Sequence, residues 1–85
     1  MSVTAAEAAE KAVNWAAVAE AALVQVDEHR MQAKRHEVVR EMQTAVQHRA
    51  LADDFETYRE RAVGMATMWA RVAGALQAAE PGGRS

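Results

Sequence analysis

The 85-residue chain has no cysteine and no isoleucine, one proline and four glycines. Without cysteine there is neither a disulfide framework nor a thiolate zinc site. An unstapled domain of this size suits a reducing interior, and a cytoplasmic location is the expectation. Serine stands only at positions 2 and 85, which removes serine nucleophilic catalysis, and no glycine-rich phosphate loop occurs. No period-2 run of β-branched residues reaches strand length, so strands are excluded. The most apolar stretch, Met65 to Ala79, is interrupted by Arg71 and Gln77, and no membrane span is expected. Acids at Glu7 and Glu10 stand where an export signal needs a basic start and an apolar run.

Apolar residues make up 51% of the chain, but 21 of them are alanine and only three are leucine. Alanine is the best helix former and buries little surface. The chain is rich in helix propensity and poor in core volume, which predicts that its folded state takes burial from another chain. Eight arginines against two lysines, with abundant Ala and Val, point to a GC-rich bacterial genome or its phage.

Punctuation is sparse. Thr4 with Glu7 forms a capping box, in which the hydroxyl takes the Glu7 amide and the carboxylate reaches back to the Thr4 amide. From there to Leu51 neither glycine nor proline intervenes. Asp53 with Glu56 is a second capping box, and Pro81 is a stop signal. The fold predicted is all-α: a helix over about 5–51, a turn at 52–54 and a helix over about 55–79. These form a single helical domain over 1–80, with a disordered tail at 81–85. Such a hairpin leaves the alanine-rich residues 5–25 uncovered, and self-association into a four-helix-type bundle, most simply a dimer, covers them. The alternative is a monomeric three-helix bundle with a break near Asp27, where Val26 and Met31 have the spacing of a hydrophobic staple.

The apolar pattern places the interaction surface. Phe55, Tyr58, Ala62, Met65, Trp69, Val72, Leu76 and Ala79 follow alternating steps of three and four, a coiled-coil or bundle signal. Beside them Ala62, Ala66, Ala70, Gly74 and Ala78 form a row of small residues at steps of four. Glycine inside a helix costs about 1 kcal/mol relative to alanine, so Gly74 predicts close packing. Ala8, Ala12, Trp15, Ala19, Ala22 and Val26 form a matching stripe on the first helix. The candidate surface is therefore Trp15, Ala19, Ala22, Val26, Phe55, Tyr58, Ala62, Met65, Trp69, Val72, Gly74 and Leu76.

Charge is unevenly spread. Residues 1–28 hold five acids and one base, residues 29–49 five bases and two acids, and residues 50–85 five acids and four bases. An acidic third next to a basic third can guide antiparallel self-pairing, and a pair of solvated helix faces is the other reading. Arg30, Lys34, Arg35, Arg40 and Arg49 are candidate nucleic-acid contacts in the basic third, although Glu37 and Glu41 dilute that patch. His29 and His36 are seven residues apart, about 10 Å along a helix, which cannot chelate one metal; surface or rim positions are expected for His29, His36 and His48. Glu37 and Glu41 read as a solvated carboxylate pair among arginines. No metal and no cofactor is expected.

The functional expectation is a non-catalytic helical protein–protein interaction or oligomerisation module. Its partners are itself and a larger protein that it helps to assemble or dock. A small regulatory nucleic-acid binder is the first alternative, and a small metal- or cofactor-binding helical bundle is the second.

Overall fold

A computed structural model describes residues 2–79. Two helices, α1 (Ala5–Val38) and α2 (Met42–Ala79), form an extended hairpin. No strand occurs among the described residues. The tail expected at 81–85 lies outside the described residues. The hairpin spans 65 × 21 × 14 Å, one helix thick in its smallest dimension.

α1 starts as its capping box dictates. Thr4 is extended (φ −82°, ψ 161°), the Glu7 amide donates to the Thr4 hydroxyl at 3.1 Å, and the Thr4 amide donates to the Glu7 carboxylate at 3.2 Å. Two of the amides that a helix start leaves unpaired are thereby satisfied. The helix then runs through Asp27 without a break, so the three-helix alternative does not form.

The turn lies at residues 39–41, not at 52–54. α1 closes with the Arg40 amide donating to the Glu37 carbonyl at 3.0 Å and the Glu41 amide donating to the His36 carbonyl at 2.7 Å. These two bonds are those of a Schellman motif, which requires a left-handed residue between them. Arg40 supplies it with φ 64°, in a place usually given to glycine. The expected cap at Asp53 is instead helix interior: Ala52 is 1% exposed, and the Thr57 hydroxyl donates to the Asp53 carbonyl at 3.1 Å. Tertiary packing overrides the local cap signal. Asp53 and Asp54 each cost at most about 0.7 kcal/mol inside a helix, whereas a turn at 39–41 makes the helices nearly equal, 34 and 38 residues, and pairs them along their whole length.

The buried residues are Ala8, Ala19, Ala22, Val26 and Ala33 on α1 with Ala45, Ala52 and Ala62 on α2. Together with half-buried neighbours they follow steps of three and four. On α1 the line is Ala5, Ala8, Ala12, Trp15, Ala19, Ala22, Val26, His29, Ala33 and His36. On α2 it is Ala45, His48, Ala52, Phe55, Arg59, Ala62, Ala66, Trp69, Ala73 and Leu76. The seam is built mostly of methyl groups, and Val26 is its one fully buried larger side chain among the described residues. Near the open end Lys11 lies over the Trp69 ring, 5.2 Å from its centroid.

Candidate functional site

The predicted interaction surface divides in two. Trp15, Ala19, Ala22 and Val26 of α1, with Phe55, Ala62, Trp69 and Leu76 of α2, lie in the seam between the chain's own helices. Tyr58, Met65 and Val72 stand outside it on one flank of α2, where Leu51 and Ala79 continue the seven-residue spacing. The eight-residue stripe read from Phe55 to Ala79 is thus one half seam and one half outer flank. Gly74 is exposed, and a Cβ added to it meets nothing within 4 Å. The close packing expected of it is absent from the hairpin, because a row at steps of four drifts off a seam at alternating threes and fours.

The two broad faces of the hairpin differ in chemistry. One carries Leu51, Tyr58, Met65 and Val72, with Met68 beside them, and a shallow groove lined by Val18, Ala21, Gln25, Phe55 and Tyr58. Tyr58 is 49% exposed, and Leu51 and Met68 are 42% exposed. The opposite face is tied across the helices by the ion pairs Arg30–Glu56 and Arg49–Glu37. Farther along it, Leu23 and Val63 line a second groove with Arg59. Exposed ion pairs of this kind contribute about 0–1 kcal/mol, and they occupy the arginines concerned.

That pairing breaks up the candidate nucleic-acid patch. Arg30, Lys34 and Arg49 line an open depression of about 660 Å³, together with Glu37 and Asp53. Arg35 projects from the other flank of α1, and Arg40 sits in the turn. The five basic residues do not form a single stripe.

The histidines are where sequence spacing misled. All three lie in the seam rather than on the surface or rim. His29 Nδ1 and His48 Nδ1 are 3.0 Å apart. The two ring centroids are 5.2 Å apart at 29°, a separation close to that of rings meeting nitrogen to nitrogen, so the contact is edge to edge. His36 lies 5.4 Å from His48 at 8°, and Phe55 lies 5.7 Å from His29 at 11°. The four rings form a ladder in the order Phe55, His29, His48, His36. Such ring pairs add about 0.5–1.5 kcal/mol beyond burial when their offsets are favourable. His36 Nδ1 is buried without a hydrogen-bond partner, and the nearest Glu41 carboxylate oxygen is 3.6 Å away. Among the described residues no three His, Cys, Asp or Glu side chains are grouped to hold a metal. The stripe from Ala8 to Val26, extended by three, four and three, lands on His29, Ala33 and His36; that was the available signal.

No helix among the described residues is long and apolar enough to cross a membrane. Comparison with family models, curated proteins and solved structures finds no match to this chain.

Proposed function

We propose that the chain is a non-catalytic helical interaction module, and that the partner on its apolar face is a second copy. The observation that carries this reading is the distribution of apolar side chains. Val26 alone among the larger residues is fully buried, while thirteen others are at least 36% exposed among the described residues. A hairpin one helix thick has a single seam, and this seam is filled largely by alanine. At about 25 cal/mol per Å² of apolar surface, methyl groups supply little of the stabilisation that ordering two long helices requires. The flank of Leu51, Tyr58, Met65 and Val72 holds the side chains large enough to make up the shortfall.

A second copy fits that flank by spacing: Leu51, Tyr58, Met65, Val72 and Ala79 recur every seven residues, the repeat along which two helices pack side by side. The turn end, residues 29–49, holds five bases and two acids, whereas the open end, residues 2–16 with 63–79, holds Glu7 and Glu10 against Lys11 and Arg71, so charge does not choose the orientation. Two hairpins packed head to tail through the α2 flank set each stripe against its own copy. That arrangement is a four-helix bundle with a two-fold axis, whose interface is the same patch on both copies. Its role in the cytoplasm would be to assemble or dock a larger protein.

Replacing Tyr58 with glutamate tests the face. Tyr58 is half exposed in the hairpin, so glutamate there leaves the seam itself untouched; the sedimentation mass falls from two chains to one, and helix content falls with it because the lone hairpin lacks the burial that pairing supplies. Wild-type protein sedimenting as one chain, or a Tyr58→Glu variant that remains paired, overturns the proposal.

A further inference from the structure

We propose that Asp54 and Arg61 fix the register of the head-to-tail pair, an inference that rests on the reading of the α2 flank as the contact with a second copy. Each Asp54 meets Arg61 of the partner subunit, and the two Tyr58 side chains stand opposite each other at the two-fold axis. The flank is more than the stripe of Leu51, Tyr58, Met65 and Val72. Three residues after each member stands a second one: Asp54, Arg61, Met68 and Ala75. Together they make a line at steps of three and four along α2, apolar except for one acid and one base.

The hairpin leaves both charges unanswered. Asp54 and Arg61 are exposed, and neither has an ion-pair partner among the described residues. Their own helix offers none, since charged partners on a helix stand one turn away. Those places hold Ala50, Leu51, Thr57 and Tyr58 around Asp54, and Thr57, Tyr58, Gly64 and Met65 around Arg61. The opposite face differs, because its arginines Arg30 and Arg49 are engaged by Glu56 and Glu37. Gln25 and Glu28, which carry the flank face onto α1, are polar and exposed. They add little apolar contact in any register.

A stripe that repeats every seven residues does not alone decide where its copy sits. Sliding the partner by one repeat, about 10 Å, sets apolar residues against apolar ones again, and α2 is long enough to overlap over most of its length each time. With the axis at Tyr58, Leu51 stands opposite the partner's Met65. Asp54 and the partner's Arg61 then lie within one residue of the same height, twice about the axis. Sliding one repeat toward the axis at Met65 sets Arg61 opposite the partner's Arg61. A second repeat reaches that axis and sets Arg61 against the partner's Met68 and Asp54 against the partner's Ala75. One repeat the other way sets Asp54 opposite the partner's Asp54. Like charges repel, and a charge covered by an apolar side chain loses water and gains no partner. Among these registers, only the one centred on Tyr58 pairs both charges.

Two measurements on the full chain test it. Asp54→Arg or Arg61→Asp alone sets like charges together twice, and each should raise the dissociation constant of the pair by about tenfold or more at low salt. The Asp54→Arg/Arg61→Asp double variant restores both contacts with their signs exchanged, and it should recover most of the affinity. If the single variants unfold, the double variant must still fold and pair; one that is no tighter than the single variants overturns the register. The second measurement leaves both charges in place. The chain has no cysteine of its own, so a spin label on Arg71→Cys, an exposed position of α2, enters once per chain. At about 1.5 Å per residue, an axis at Tyr58 sets the two labels about 40 Å apart and an axis at Met65 about 20 Å apart. A paired chain with any separation other than about 40 Å overturns the register and leaves the second-copy reading standing. A wild-type chain that sediments alone removes both.

Discussion

Arg40 holds the one left-handed non-glycine backbone conformation among the described residues, and the position of the hairpin follows from it. A left-handed residue with a Cβ is disfavoured by about 1–2 kcal/mol. The Schellman bonds of the Arg40 and Glu41 amides offset that cost by satisfying the carbonyls at the end of α1. Glycine relieves the strain but adds freedom to the unfolded chain, so Arg40→Gly should raise stability by about 1 kcal/mol, read from urea unfolding. A neutral or destabilising result would mean that the turn does not adopt this conformation. The same residue explains why the turn is invisible in the sequence. Val39-Arg40-Glu41 holds no glycine, proline or asparagine, whereas Asp53 and Glu56 carry every mark of a cap and are not one. Local signals are decisive only where packing is indifferent, as at Thr4 and Glu7.

At the scale of the helices, the seam follows one rule of alternating threes and fours over both elements. Half of it was legible. Phe55, Ala62, Trp69 and Leu76 lie on the predicted stripe, and so do Trp15, Ala19, Ala22 and Val26. The flanking half was assigned to Tyr58, Met65 and Val72 because they are larger, but the seam takes Arg59, Ala66 and Ala73 instead. Hydrophobicity alone ranks the former set higher. Mutual fit of two helices along a methyl-lined seam selects the latter, and turns the larger residues outward. Arg59, half-buried beside the groove of Leu23 and Val63, can place its stem along the seam and its charge in water. The histidines were missed for a related reason: as polar residues they were read out of the period that Val26 and Phe55 share with them. Filling so fine a seam has a cost that can be measured. Ala62 is 0% exposed, and Ala62→Leu should destabilise the fold by about 1–3 kcal/mol through overpacking. A gain in stability would show that the helices leave room for larger side chains.

The whole molecule is a ribbon, 14 Å in its thinnest direction, with an ion-paired face at one half and an apolar flank behind it. All-helical architecture, the hairpin and the N-terminal cap were readable from composition and spacing. Equal helix lengths and the unlike faces were not, because both depend on where the chain reverses. In the proposed pair, association supplies what the seam does not, and folding and pairing are then coupled. That coupling makes stability a function of protein concentration. The direct measurement is the thermal unfolding midpoint of the wild-type chain over about a hundredfold range of concentration, at fixed pH and salt. A midpoint that climbs steadily with concentration is the predicted result. A cooperative transition whose midpoint stays constant across that range would show that the hairpin folds alone, and would contradict the account.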